Sequence, residues 1–264
     1  LKQRVITGIV AGVFFLGFAI LGGTWYNLLI LLMSLIGLYE FIRMIGVSPF
    51  GGTAFIGYIS VLILVFPSVL ASLDISLSHI QIIWLLMLLF LTATVTTKNK
   101  LTVQTAALMF IGVVYVGIGF YYIATTRQLQ DGLFWTFMIL VSIWGSDAGA
   151  YFVGKTIGKH KLWPVISPNK TIEGAVGGIV IAVIISIGFA LLSDGIVGVG
   201  NAVLIGLSSA IIGQMGDLVQ SAYKRVYGIK DSGSLLPGHG GILDRCDSWI
   251  FVFPFVHMLA LIPY

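Results

Sequence analysis

Apolar residues run along this chain in long blocks parted by short polar stretches. A hydrocarbon layer about 30 Å thick takes roughly 20 such residues per helix. On that measure the pattern predicts about nine spans, near 5–21, 25–45, 53–70, 80–96, 101–124, 133–152, 172–192, 197–221 and 248–261. The chain reads as an all-α, polytopic integral membrane protein. Residues 1–124, about five helices, read as a transmembrane scaffold. Residues 125–264, about four helices with two basic loops, read as a catalytic region.

Composition agrees with the pattern. Of 264 residues 58% are apolar and 9% charged, with a mean hydropathy of +1.06, where a soluble domain carries about 25% charged and about 45–50% apolar residues. This excludes a water-soluble globule, a disordered chain, a collagen and a nucleic-acid reader. A single cysteine, Cys246, excludes an intramolecular disulfide framework and a four-cysteine metal site.

The formal charge of +4 and the pI near 9.2 gain meaning from their placement. Lys and Arg in short loops stay on the cytoplasmic side. With the N-terminus inside and nine spans, every Lys and Arg except Arg127 falls on that side, and the C-terminus lies opposite. The Lys2-Gln3-Arg4 start ahead of an apolar run resembles a signal peptide, but no small-x-small cleavage site precedes Trp25 and Tyr26, so a retained first helix is expected. No strong internal repeat or low-complexity tract is visible.

An ionisable group at membrane depth is a functional hypothesis by default. Two acids qualify, Asp147 in the sixth run and Asp217 in the eighth, while the third to fifth runs hold almost no ionisable groups. On a helix, Gly213, Asp217, Ser221 and Lys224 share one face, offering a carboxylate, a hydroxyl and a cation to a common cavity. The blander account is a packing face ending in a snorkelling lysine. Downstream, glycines around His239 leave backbone amides open to a phosphate. Asp244 and Asp247 stand at i, i+3 at the start of the last span, with helix-dipole complementarity as the plainer alternative.

Mg²⁺ is usually held by one or two carboxylates plus substrate phosphates. Asp217, Asp244 and Asp247 supply that donor type, with Asp147 a supporting or substrate-contacting partner. His239 is a poor metal ligand because no second His or Cys stands at zinc spacing; His79 and His257 read as structural, and His160 as part of a basic loop. In the other basic loop Pro168 precedes Asn169, Lys170 and Thr171, which are expected at the N-terminus of the seventh helix, suited to an anion. Gly174 and Gly178 form a small-xxx-small pair for close helix contact. A nucleoside triphosphate with its metal, and a lipid as second substrate, meet this inventory, which holds no convincing Ser-His-Asp or Cys-His set.

The run Ser221-Ala222-Tyr223-Lys224-Arg225, Lys230-Asp231-Ser232-Gly233 and Leu236-Pro237-Gly238-His239-Gly240-Gly241-Ile242-Leu243-Asp244-Arg245-Cys246-Asp247-Ser248 resembles the signature of the phosphatidate cytidylyltransferases, or CDP-diacylglycerol synthases. Ser146-Asp147, Tyr151, Gly154-Lys155, Ser167-Pro168-Asn169-Lys170-Thr171 and Gly216-Asp217-Leu218 match as well. The departures are Asn169, where a basic residue is common, and Cys246, where an aliphatic one is. The resemblance implies Mg²⁺-dependent transfer of CMP from CTP to phosphatidate, releasing pyrophosphate. It makes Asp217 and Asp244 the metal carboxylates, with Asp247 beside them and a second cation as an option. It assigns Lys224, Arg225, Lys230 and Arg245 to phosphates of CTP or lipid, and Ser167, Lys170 and Thr171 to the cavity wall. Asp147, Lys155, Ser221, Asp231, His239, Gly240 and Gly241 complete the implied substrate site. A homodimer in a bacterial inner membrane, with the site facing the cytoplasm, is also implied.

Competing readings are a related CTP-dependent lipid kinase or cytidylyltransferase acting on another lipid, and more distantly an ion-coupled transporter. The one-sided clustering of polar groups and the lack of paired broken helices argue against the transporter. A CDP-alcohol phosphotransferase is disfavoured because its Asp-Gly-x-x-Ala-Arg run is absent.

Overall fold

The computed structural model describes residues 2–263, without the side chains of Lys2, Arg4 and Val5, so the charges of Lys2 and Arg4 used in the topology lie outside the described ones. Among the described residues the chain forms ten helices and one two-stranded hairpin. The helices are α1 Lys2–Leu21, α2 Gly23–Met44, α3 Gly52–Val65, α4 Ser68–Ala71, α5 His79–Thr96, α6 Val103–Gln128, α7 Gly132–Ile157, α8 Ile172–Leu191, α9 Val199–Val226 and α10 Leu243–Met258. The hairpin pairs β1 Lys161–Trp163 with β2 Ser167–Thr171, antiparallel, with Lys161 opposite Thr171.

Six of the helices, α2 and α5 to α9, are long and apolar enough to cross a membrane; α3 and the Ile6–Leu21 part of α1 are shorter apolar helices. Several carry many β-branched residues, such as the Ile- and Val-rich α8. Such residues are only moderate helix formers in water, but hydrocarbon leaves no other partner for backbone polar groups, so the helix prevails.

Helix boundaries follow local chemistry. The third apolar run is not one helix: Pro67 lacks an N–H and pushes Phe66 to φ −131°, so α3 stops at Val65 and the one-turn α4 follows. Ser78 caps α5 in a reciprocal capping box with Gln81. Beyond α9, Gly228 takes φ +65°, the Ile229 N–H donates to the Lys224 carbonyl at 2.9 Å and the Gly228 N–H to that of Arg225. This left-handed stop releases the chain just after Lys224 and Arg225. The expectation that 167–171 is a loop leading into a helix needs correction, because these residues form β2, and only Thr171 caps α8, accepting from the Gly174 N–H at 3.1 Å.

The chain divides into two compact units, the first comprising α1 to α6 up to Ala124 together with Asp231–Leu243, the second Thr125–Lys230 together with the chain from Asp244 onward. In the first unit α2, α3 and α6 pack by setting large side chains over glycines: Phe41 over Gly112, Leu64 over Gly117, and Met109 and Leu38 over Gly57. Tyr26, Phe41, Phe90 and Phe120 are fully buried there. In the second unit Ile185 and Ile181 of α8 likewise sit over Gly145 and Gly149 of α7, and the backbones also approach. A Cβ on Gly174 would stand 2.6 Å from the Ala150 carbonyl oxygen, and one on Gly178 2.7 Å from that of Ser146, so the pair does seat α8 on α7. The buried hydroxyls of Ser142 and Ser186 join these two helices at 2.8 Å.

Candidate active site

α9 and α10 are locked together by the Ser248 hydroxyl, which donates to the Gly213 carbonyl at 3.0 Å, and by Gly216, whose missing Cβ makes room for the Asp247 carbonyl oxygen. The face carrying Gly213, Asp217, Ser221 and Lys224 looks toward α10. Lys224 Nζ lies 2.8 Å from Asp244 Oδ1, with the Asp244 side chain 3% exposed, and the Ser221 hydroxyl donates to Asp217 at 3.4 Å. From the hairpin, Lys170 reaches Asp217 Oδ2. Helices α7 to α10 and the hairpin thus converge their polar groups within the second unit.

Beside them lies a cavity of about 480 Å³, whose walls include Asp147, Lys155, Lys170, Thr171, Asp217, Asp244, Arg245 and Asp247. Every one of those eight is a residue expected from the sequence. Gln214, Asn169, Tyr151 and Ser248 line it too. Gln214, which the sequence reading did not select, donates to the Ala175 carbonyl at 3.3 Å and bridges α9 to α8; its position, three residues before Asp217 in a small-residue run, was the available signal. Ser167, Ser221, Lys224, Arg225 and Lys230 belong to the same unit without lining the cavity, and Arg225 donates to the Ile166 carbonyl at 3.3 Å, tying α9 to the hairpin turn. Asp231, His239, Gly240 and Gly241 belong to the first unit.

His160 does more than add charge to a loop, since its Nδ1 sits 2.6 Å from Glu173, whose carboxylate also accepts from the His160 and Lys159 N–H groups. This fixes the chain between α7 and α8. His257 is buried and bonded through Nε2 to the Thr126 hydroxyl at 2.8 Å, a satisfied core histidine.

Four carboxylates around one cavity form an all-oxygen donor set suited to a hard divalent cation. Among the described residues no three His, Cys, Asp or Glu stand close enough to hold an ion unaided. Lysine ammoniums pair with two of the carboxylates, Asp217 and Asp244. Mg²⁺ is usually held by one or two carboxylates with phosphate oxygens completing its shell, and this lining supplies carboxylates of that kind.

Within the first unit lies an acid that the sequence reading passed over. Glu40, on α2, is 3% exposed. Its carboxylate accepts from the N–H groups of Ile242 and Leu243 and from the Ser232 hydroxyl, each at 2.9 Å. The criterion applied to Asp147 and Asp217, an acid inside an apolar run, picks out Glu40 equally. The segment it meets turns tightly at Leu236-Pro237-Gly238-His239, where Gly238 has φ +78° and the His239 N–H donates to the Leu236 carbonyl at 2.8 Å, the arrangement of a type II turn. The His239 ring lies against Gly8 of α1.

A model of the cytidylyltransferase family matches residues 2–262 of this chain. The chain is 42% identical over 261 residues to the phosphatidate cytidylyltransferase of Bacillus subtilis (strain 168), covering 98% of this chain and 97% of that protein. It is 40% identical to the protein of that name from Staphylococcus haemolyticus (strain JCSC1435), covering 99% of each, and 38% identical to that of Staphylococcus saprophyticus, again covering 99% of each.

Proposed function

The chain belongs to the cytidylyltransferase family, and from that premise we propose that it transfers CMP from CTP to phosphatidate, forming CDP-diacylglycerol and pyrophosphate. The observation that carries this reading is the cavity of the second unit, which four aspartates, two lysines and an arginine line together. The relatives named for this activity align with nearly the whole chain.

A phosphate oxygen of phosphatidate attacks the α-phosphorus of CTP, forming the new P–O bond as the bond from that phosphorus to the bridging oxygen of the β-phosphate breaks. The electron pair leaves with pyrophosphate. Little covalent chemistry is asked of the protein; it aligns the two phosphates and offsets their charge. Lys170, Lys155 and Arg245 line the cavity and serve phosphate oxygens of CTP or lipid. Lys224 and Arg225, anchored to Asp244 and to the hairpin turn, extend that positive wall, with Lys230 beyond them. Ser167, Thr171 and Ser221 add hydroxyls. Asp217 and Asp244, with Asp247 beside them, would hold Mg²⁺, which supplies neutralisation and polarisation of the phosphates. Asp147 contributes its carboxylate from α7.

The placement of Lys and Arg supports a topology of nine spans with the N-terminus inside and the C-terminus opposite. On this reading the site faces the cytoplasm of a bacterial inner membrane, residues 125–264 carry catalysis on the scaffold of residues 1–124, and the protein works as a homodimer.

The test is CDP-diacylglycerol formation from labelled CTP by purified protein in mixed micelles, with phosphatidate or a polyprenol offered, with and without Mg²⁺. Metal-dependent label in CDP-diacylglycerol is expected. Transfer to the other lipid, or no nucleotide turnover, overturns the proposal.

A further inference from the structure

Glu40 meets both ends of one segment. From one end it accepts the Ser232 hydroxyl, and from the other the N–H groups of Ile242 and Leu243. A Cβ on Gly233 or on Gly241 would collide with the same carboxylate. The backbone from Ser232 to Leu243 therefore closes around a side chain that sits some 200 positions earlier in the chain, with |i−j| of 202 for the Ile242 bond.

Leu243 is the first residue of α10. The first N–H groups of a helix have no partner within it, and a carboxylate there also complements the helix dipole. Glu40 thus acts as the cap of α10, supplied from α2, at the turn that bears Asp244. Burying an acid is costly unless donors surround it, and packing alone would be served by a leucine. A carboxylate differs from its amide in having acceptors only. A glutamine here would turn an N–H toward donors, and the fixed Ile242 and Leu243 amides cannot accept.

We propose that Glu40 is a positioning residue for the reaction, setting the shape of the 232–243 segment and the starting point of α10, on which Asp244, Arg245 and Asp247 are mounted. This rests on the cytidylyl-transfer reading of the cavity. A displacement of about 1 Å at such groups costs up to about 100-fold in rate, so the effect of losing Glu40 falls on kcat.

The experiment compares wild type, E40Q, E40D, S232A and G233A, purified in detergent, by kcat, by KM for phosphatidate and CTP, and by thermal unfolding. E40Q is expected to lower kcat about 30-fold with KM for phosphatidate within about twofold. E40D, which keeps the acceptors, recovers part of that loss, and in every variant that folds the kcat loss persists when expressed per folded protein, whatever the shift in unfolding temperature. S232A removes one donor and G233A pushes on the carboxylate without changing its charge; each lowers kcat about 3- to 10-fold. Should E40Q not fold, these two variants carry the test. Wild-type kcat in E40Q, or in both S232A and G233A, overturns the proposal, as does a kcat loss that merely tracks loss of folded protein with E40D no better than E40Q. An inactive wild type would instead bring down the cytidylyl-transfer reading.

Discussion

The two units use their acids differently. In the first, Glu40 faces backbone amides and a hydroxyl, donors fixed in place by the chain around them. In the second, Asp217 and Asp244 face the ammonium groups of Lys170 and Lys224 at a cavity. A carboxylate bound to backbone donors is committed to structure, because releasing it strands the donors. One paired with a flexible lysine beside a cavity can exchange that partner for a ligand. Packing does not divide the same way: side chains sit over glycines in both units, Phe41 over Gly112 in the first and Ile185 over Gly145 in the second, and the second adds backbone contacts at Gly174 and Gly178.

Six substitutions break or sharpen that contrast. The largest effect is expected from Asp217→Asn or Asp244→Asn, each lowering turnover on the order of 10³-fold, with folding retained on size-exclusion chromatography. Near-normal turnover in both would remove these acids from the site. Lys170→Ala or Lys224→Ala removes one charge-assisted contact, worth about 1.5–3 kcal/mol, or roughly a 10- to 100-fold loss of kcat/KM, read in the same assay. Gly178→Leu should leave the acids in place yet destabilise the α7–α8 contact by about 1–3 kcal/mol; thermal unfolding checks it against Gly188→Leu, where an added Cβ meets nothing within 4 Å. Lys98→Ala, on an exposed turn between α5 and α6, should change activity by less than about twofold.

Much of this was legible in the residues. Apolar block length located most helices, because hydrocarbon thickness is a strict ruler. The 213–224 stripe was readable since helical periodicity alone puts Asp217 and Lys224 on one face. The break at Pro67 was written in the sequence, but apolarity on either side masked it. The hairpin at 161–171 was not legible: its strands are short, and Pro168 sits inside one of them. Glu40 was visible as an acid in an apolar run, yet its partners lie some 200 residues downstream, and no local pattern announces a contact across that distance. For the same reason the grouping of Asp231–Leu243 with α1 to α6 was beyond a linear reading.

The most direct test of the central claim measures CDP-diacylglycerol and pyrophosphate together, from CTP and phosphatidate, in proteoliposomes holding wild type or the Asp244→Asn variant. Equal amounts of both products from wild type and almost none from the variant are predicted. Pyrophosphate without CDP-diacylglycerol, phosphate transfer in place of CMP transfer, or equal activity in the two proteins would contradict it.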